Sequence, residues 1–339
     1  MSADACVYAT AGWGVHDQRW VEGLTTVGFD PTVISLGRDV GSDDDLRLEV
    51  QAAARGGLPV LAGPLPTVTQ PLSGIDVRLV GLSWGYDLAD RVHGGADTAW
   101  LSGLGGLIVD SEPNRSVALA AGLPPERVTL LPWGVDLATF VFQGPRSADV
   151  IPDVPPHAPV VLSLRAHEDM YRVADIVSAF ALMSQRPRRT DVGPDPYLVL
   201  GHSGSGTDDL RRLADHLGVT DRVRFLGTVP EEDLVPLLAR ADCYVTASRV
   251  DGTSVTLLQA MACGTPVVAS DTPGNRGWVE DGVTGFTFPT GDVPALAATL
   301  ERVLLTRPVD VALRARVLVE QEADWQANLS RLRRAMDQA

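Results

Sequence analysis

Residues 242–271 read DCYVTASRVDGTSVTLLQAMACGTPVVASD, and they contain the clearest secondary-structure pattern of the chain. Apolar, β-branched runs at its start and near its end predict two strands. Between them a helix is predicted from about Ser254 to Ala262, and Gly264 marks its end. A strand, a polar loop, a helix and a second strand are the repeating unit of a parallel sheet with helical crossovers.

The same alternation runs through most of the chain. The other predicted strands of the second half lie at residues 160–164, 197–200 and 223–226, and its other predicted helices begin near residues 173, 207 and 231. The predicted strands of the first half lie at residues 7–10, 32–36, 59–61, 77–82 and 107–109. Because the pattern occurs twice, the sequence predicts an α/β fold in which two Rossmann-like domains face a cleft.

A break in the periodicity separates the predicted domains. Prolines and glycines crowd together without an apolar pattern in residues 145–157, which predicts a linker. Residues 1–144 are then the N-terminal domain and residues 158–308 the C-terminal domain. The tail, residues 309–339, carries apolar side chains at helical spacing and is predicted to be helical.

Charge and composition exclude several classes of function. The 28 Lys and Arg against 43 Asp and Glu give a net charge of −15, which disfavours nucleic acid as a partner. No stretch reaches the roughly 18 apolar residues that span a bilayer, so we expect no stable membrane insertion and a cytoplasmic location. Cys6, Cys243 and Cys263 lie in apolar runs without metal-ligand spacing, which predicts buried, reduced thiols and no metal site. Composition leaves the oligomeric state open.

The loop from Asp251 to Ser254 is the first candidate site. It precedes a predicted helix, whose N-terminal backbone N–H groups attract a phosphate or a sugar hydroxyl. Ser, Asp and Gly are also common helix caps, so from the loop alone ordinary capping remains the alternative.

The whole stretch resembles the signature of the retaining glycosyltransferases of family 4, which have the GT-B fold. The resemblance rests on Asp251, on Gln259 after seven intervening residues, and on the run AMACGTPVVA at 260–269. It extends to residues 130–136, 223–230, 282–286 and 291–292. It implies transfer of a sugar from a nucleotide diphosphate sugar to a hydroxyl or amine of a small-molecule acceptor, with retention at the anomeric carbon and without a metal.

Departures from the family signature bear on the donor. In the family, the first acidic residue contacts donor-sugar hydroxyls and the second holds the ribose diol; these positions are Asp251 and Gln259 here. Glu is usual at both positions, and a third usual Glu is Gly277 in this chain. A carboxylate only accepts hydrogen bonds, whereas an amide has one acceptor and one donor group. The resemblance therefore implies a weakened ribose contact and favours a UDP- or dTDP-sugar.

Two arginines are implied as contacts of the donor diphosphate. Arg165 matches the family arginine, and the family lysine aligns with Tyr171 or Arg172, of which we favour Arg172 for its charge. Solvated surface arginines are the alternative. The catalytic candidates are Arg165, Arg172 and Asp251. The donor-binding candidates are Gly201, His202, Gly252, Thr253, Ser254, Val255 and Gln259.

The acceptor side is assigned to the N-terminal domain. Glycines in the run GWGVHDQRW at 12–20 let backbone approach a ligand closely, but a dinucleotide fingerprint would need its third glycine at Asp17. This argues against a dehydrogenase. Helix capping is the alternative role of His16 and Asp17. The acceptor-side candidates are Gly12, Gly14, His16, Asp17, Trp84 and Asp87, with Trp84 standing where many relatives have a His.

The resemblance also implies that residues 309–339 pack back on the N-terminal domain. A catalytically silent homologue that binds a sugar nucleotide or a partner protein is the alternative function, because Asp251, Gln259, Gly277 and Trp84 depart from the family pattern. A non-hydrolysing epimerase shares the two-domain plan, but it would need catalytic carboxylates and histidines in a pattern that this sequence lacks.

Overall fold

The chain forms two compact units. A computed structural model describes residues 3–83, 85, 87–142, 150–185 and 194–338. One unit is Met1–Trp133 with Trp325–Ala339, and the other is Gly134–Asp324. The units divide at Trp133 and Asp324, whereas the sequence placed the boundaries near residues 144 and 308. Residues 145–149 of the predicted linker lie outside the described residues, and residues 150–157 belong to the second unit.

The first unit is built around a parallel sheet of six strands. Its strands are β1 (Asp4–Ala11), β2 (Phe29–Leu36), β3 (Pro59–Ala62), β4 (Arg78–Leu82), β5 (Gly106–Val109) and β6 (Val128–Leu130). The helices between these strands are α1 (Val15–Thr26), α2 (Asp43–Ala53), α3 (Thr69–Leu72), α4 (Asp87–His93) and α5 (Glu112–Ala120). The strand order is β2-β1-β3-β4-β5-β6. Strands are added to one side of β1 and then to the other, so the order of the sheet reverses between β1 and β3, although all strands run parallel. In open α/β sheets such a reversal is where ligands bind, beyond the carboxyl ends of the strands.

The second unit is also built around six parallel strands. Its strands are β7 (Val160–Ser163), β8 (Tyr197–Leu200), β9 (Val223–Phe225), β10 (Cys243–Thr246), β11 (Val267–Ser270) and β12 (Phe286–Phe288). Its helices are α6 (Val173–Ser184), α7 (Thr207–His216), α8 (Glu231–Arg240), α9 (Val255–Ala262), α10 (Pro273–Arg276), α11 (Val293–Thr306) and α12 (Val309–Glu322). The order β12-β11-β10-β7-β8-β9 reverses between β10 and β7.

The last helix, α13 (Trp325–Gln338), belongs to the first unit. It packs on α1 at Gly23, where an added Cβ would lie 3.0 Å from the Trp325 ring and 3.2 Å from Leu329. A side chain at Gly23 would therefore require Trp325 and Leu329 to shift by a few tenths of an ångström. The predicted tail is therefore divided, with α12 in the second unit and α13 in the first.

Apolar side chains cover both faces of each sheet, which explains why the strands read as continuous apolar runs. In the second unit Val160 and Leu162 face one core and Val161 faces the other. A buried arginine, Arg240, anchors the chain that enters β7. Its Nη2 donates to the carbonyl oxygens of Ala158 at 2.7 Å and Pro155 at 3.2 Å.

Candidate functional site

The strand reversal in the second unit brings Arg165 and Asp251 together. Arg165 follows β7 and Asp251 lies between β10 and α9, so both stand beyond the carboxyl ends of the two strands that flank the reversal. Arg165 Nη2 lies 2.8 Å from Asp251 Oδ2, and the side chains are 10% and 13% exposed. This ion pair is shielded from solvent, so it is stronger than an exposed pair of the same geometry.

Two further groups hold the Arg165 guanidinium. Its Nη1 donates to Ser254 Oγ at 2.6 Å, and its plane lies over the Tyr171 ring, 4.1 Å from the centroid. A cation over an aromatic face is attracted by the ring quadrupole. Arg165 Nε is a buried donor without a hydrogen-bond partner among the described residues. The guanidinium is therefore fixed in place and keeps a donor that a ligand oxygen can satisfy.

Ser254 also caps α9. Its side chain accepts from the Leu257 N–H, and the helix begins at Val255, one residue after the predicted start. The N–H groups of Val255 and Thr256 lie in the first turn, where no intrahelical partner exists. Ser254 therefore has the capping role that the sequence offered as the alternative, and it also contacts Arg165; donor binding by this loop stays a prediction.

Gly274 supports this loop and was missed by sequence reasoning. A Cβ at this position would overlap the carbonyl oxygens of Asp251 and Gly252. The short helix α10 is held there by Thr272, whose side chain accepts from Asn275 N–H, and by Asn275 Nδ2, which donates to the Ser270 carbonyl at 2.9 Å. A glycine inside the run Pro273–Arg276 is the only sequence signal for this contact.

Gln259 lies on α9 and is 8% exposed. Its Oε1 is a buried acceptor without a hydrogen-bond partner among the described residues. An unsatisfied buried acceptor fits a hydroxyl donor from a ligand. At Gly277, where the family has Glu, an added Cβ would meet the Gly274 carbonyl oxygen at 3.4 Å, so the backbone has room for a side chain.

Arg172 is paired with an acidic residue of the helix that it precedes. Its Nε donates to Asp175 Oδ2 at 2.7 Å, and its side chain is 32% exposed. The φ angle of Arg172 is +49°, in the left-handed region of backbone conformations. Tyr171 lies against Arg165, whereas Arg172 as a contact of the donor diphosphate stays a prediction.

Gly201 and His202 have structural contacts of their own. A Cβ at Gly201 would come within 2.7 Å of Leu164 and 2.9 Å of Val229, so this glycine is required for packing. His202 Nδ1 accepts from the Ser203 N–H at 2.8 Å. Nearby, the buried His167 has Nδ1 at 2.9 Å from Thr207 Oγ1, and burial lowers its pKa.

In the first unit, Asp17 is a buried carboxylate with a dense set of partners. It accepts from Tyr8 Oη at 2.9 Å, Thr10 Oγ1 at 2.5 Å and Gly14 N–H at 2.7 Å. Burial, together with the charge of Asp17, raises the pKa of Tyr8. These contacts match the helix-capping alternative for Asp17, which fixes the start of α1.

The other acceptor-side candidates lie at the same edge of the first sheet. The His16 ring packs on Trp133, with 4.7 Å between centroids, and burial lowers its pKa. Asp87 Oδ1 accepts from Ser83 Oγ at 2.5 Å, and its Oδ2 accepts from the Leu65 N–H at 3.1 Å. Gly12 has a φ of +78°, which favours glycine. Trp84 lies outside the described residues.

Comparison with known proteins bears on this arrangement. The family described as glycosyl transferases group 1 matches residues 149–318. The chain belongs to this family. The matched residues include Arg165, Asp251 and Gln259 and cover most of the second unit.

Two relatives illustrate how far the similarity extends. The lipopolysaccharide core biosynthesis glycosyltransferase LpsE of Rhizobium meliloti is 32% identical over 165 residues, which are 49% of this chain and 44% of the relative. The D-inositol 3-phosphate glycosyltransferase 2 of Catenulispora acidiphila is 34% identical over 236 residues, which are 68% of this chain and 51% of the relative. The chain thus spans about half the length of these relatives.

Solved structures share the fold over the whole chain. Anabaena Alr3699/HepE in complex with UDP and glucose superimposes with a TM-score of 0.78, 18% identity, and coverage of 99% of this chain and 100% of that one. Sucrose-phosphate synthase from Thermosynechococcus elongatus superimposes with a TM-score of 0.76 and 19% identity, and the match covers 99% of this chain and 98% of that one. The predicted α/β fold class, with two Rossmann-like parallel-sheet units of GT-B type, is confirmed.

A cluster of metal ligands and a membrane-spanning helix are both absent from the described residues. No group of three or more His, Cys, Asp or Glu is placed there to hold a metal ion. Among the same residues, no helix has the length and apolarity needed to cross a bilayer. Cys6, Cys243 and Cys263 are buried free thiols, and burial raises the pKa of Cys6 and of Cys263 to about 12.

Proposed function

We propose that this protein transfers a sugar from a UDP- or dTDP-sugar to a hydroxyl or amine of a small-molecule acceptor, with retention of configuration as in family 4. The observation that carries the proposal is the shielded cluster of Arg165, Asp251 and Ser254 beside the N-terminus of α9. It lies at the strand reversal where open α/β sheets bind ligands. The complex of Alr3699/HepE with UDP and glucose supports a uridine nucleotide. The second unit binds the donor in this proposal, and the first unit binds the acceptor.

The chemistry follows from charge. As the bond between the anomeric carbon and the phosphate oxygen breaks, negative charge grows on the leaving diphosphate. Arg165 and the N–H groups at Ser254 and Val255 stabilise that charge because they are already oriented. The acceptor oxygen forms the new bond to the anomeric carbon, and its proton goes to the leaving phosphate oxygen. No protein base is needed for this step.

Asp251 and Gln259 bind the neutral parts of the donor in this proposal. Asp251 Oδ1 accepts from sugar hydroxyls while Oδ2 stays beside Arg165. The free Gln259 Oε1 accepts from a ribose or deoxyribose hydroxyl. Arg172 also adds positive charge, but it is paired with Asp175 and more exposed than Arg165, so its contribution is smaller.

A nucleotide panel tests the proposal. Calorimetric titration with UDP, dTDP, GDP and ADP is expected to show UDP or dTDP binding about tenfold or more tightly than the purine nucleotides, a difference of about 1.4 kcal/mol. Turnover is then measured as the release of glucose from UDP-glucose or dTDP-glucose. Failure of all four nucleotides to bind would overturn the proposal, and binding without sugar release even when hydroxyl and amine acceptors are supplied would favour a catalytically silent homologue.

Gln259 sets the balance between UDP and dTDP. With a single amide acceptor it serves a lone 3′-hydroxyl, so we expect the two nucleotides to bind within about tenfold of each other. Gln259→Glu should widen the gap in favour of UDP by about 1 to 2 kcal/mol, because a carboxylate forms stronger hydrogen bonds with both ribose hydroxyls. Four dissociation constants measure this, and equal strengthening of both nucleotides would place Gln259 away from the 2′-hydroxyl.

Metal removal is a separate expectation. If Arg165 and helix N–H groups neutralise the diphosphate, turnover in excess EDTA should match turnover in untreated buffer. The measurement is the initial rate of sugar release with EDTA and then with Mg²⁺ or Mn²⁺ added back. Loss of the rate in EDTA and its recovery on titration with either ion would mean that a cation clamps the phosphates.

A further inference from the structure

An exposed tryptophan marks the strand reversal of the first unit. Trp13 lies in the loop between β1 and α1, and the reversal of this sheet falls between β1 and β3. Its side chain is 40% exposed. Exposure of an indole leaves a large apolar surface in water, and here it does so where ligands bind to this class of sheet.

The backbone around Trp13 is held on both sides. Gly12 N–H donates to the Leu36 carbonyl at 3.0 Å, and Ser35 Oγ donates to the Gly12 carbonyl. Gly14 N–H donates to Asp17 Oδ2 at 2.7 Å. The loop therefore presents Trp13 from a fixed backbone.

Arg38 holds the indole ring itself. Its guanidinium lies 4.8 Å from the Trp13 ring centroid and forms a two-point contact with Asp39, with Nε–Oδ1 at 3.0 Å and Nη2–Oδ2 at 2.7 Å. Asp39 Oδ2 also accepts from the Ser35 N–H at 2.9 Å. The ring is thus attached to the end of β2 through a cation–π contact, and Asp39 neutralises the charge of Arg38.

We propose that Trp13 is a stacking platform for a sugar ring of the acceptor, so that the acceptor is a saccharide or carries one. The face of an indole ring carries partial negative charge, and the axial C–H bonds of a pyranose present a weakly positive surface to it. Arg38 and Asp39, 42% and 38% exposed, supply donors and acceptors for the hydroxyls at the edge of such a ring. Because the Arg38–Asp39 pair is neutral, a sugar suits this surface better than a phosphate. The inference rests on the proposed function, whose acceptor it specifies.

Fluorine NMR of the full chain tests the platform. The protein is labelled with 5-fluorotryptophan, and the Trp13 line is assigned by its loss in Trp13→Phe. The probes are the methyl α- and β-pyranosides of glucose, galactose and mannose, each titrated separately. At least one probe is expected to shift the Trp13 line in a saturable way. The line of Trp100, a partly exposed tryptophan whose Nε1 donates to the Asp97 carbonyl, should stay fixed.

Two arginine variants and a titration with UDP test whether a shift of the Trp13 resonance reports sugar binding at this ring. With the probe that binds, Arg38→Ala should raise its Kd about fivefold or more, since the ring loses its support, and Arg91→Ala, an exposed arginine elsewhere in the unit, should not change it. The proposal would be overturned if no pyranoside shifts the Trp13 resonance. It would also be overturned if UDP shifts that resonance. UDP calorimetry reports on the proposed function separately, so either proposal can fail without the other.

Discussion

Asp17→Ala is expected to lower the free energy of unfolding of the first unit by about 3 to 5 kcal/mol. The carboxylate is 3% exposed and accepts from Tyr8, Thr10 and Gly14. Hydrogen bonds to a charged group contribute more than neutral ones, and the substitution removes the acceptor of two buried hydroxyl donors and of the part-buried Gly14 N–H. Urea denaturation followed by circular dichroism measures the change.

The matched control for this substitution is Asp44→Ala. Asp44 is an exposed acidic residue in the first turn of α2, so its loss removes only a favourable interaction with the helix dipole, about 0.3 to 1 kcal/mol. Asp17→Asn should fall between the two, because one amide oxygen remains as an acceptor while the amide NH₂ faces donors. A loss below about 1 kcal/mol for Asp17→Ala would mean that the three contacts do not stabilise the unit.

Arg165→Ala is expected to weaken UDP binding by about 1.5 to 3 kcal/mol, roughly a 10- to 150-fold rise in Kd, and to leave uridine affinity nearly unchanged. The substitution removes the fixed positive charge of the site, and it leaves Asp251 as an unpaired carboxylate that repels a diphosphate. Calorimetry with UDP and uridine on the same protein preparations gives the comparison.

Controls separate this effect from a general loss of charge. Arg212→Ala removes an exposed arginine paired with Asp209 and should leave both affinities within about twofold. Arg172→Ala should weaken UDP less than Arg165→Ala, because Arg172 is paired with Asp175 and more exposed. If Arg165→Ala weakens UDP and uridine equally, Arg165 does not contact the phosphates.

Local sequence predicted the elements that carry the site well. The strand, loop and helix around residues 242–271 appear as β10, the Asp251 loop and α9, which starts within one residue of the prediction. These elements depend on neighbours along the chain, through apolar periodicity, a serine cap and a terminating glycine. The three-residue edge strands β6 and β12 were not predicted, although the equally short edge strand β9 was.

Contacts between distant residues could not be predicted in the same way. Gly274 beneath the Asp251 loop and Arg38 over Trp13 are brought together by the folding of separate strands, and no local pattern encodes either pair. Arg240 looks like a surface residue in the sequence, yet it is buried against the carbonyl groups that precede β7. A long charged side chain is buried only where several acceptors converge, and that convergence is a property of the fold.

The twofold alternation of strands and helices and the family signature could be read from the chain before folding, because both are local patterns of residue type. Which side chain lies against Arg165 depends on the folded backbone. Arg172 has a left-handed φ and its guanidinium contacts Asp175, while the ring of the preceding Tyr171 lies over Arg165. A single backbone dihedral at the start of a helix changes the direction of the side chains on either side of it, and residue type alone does not specify that angle.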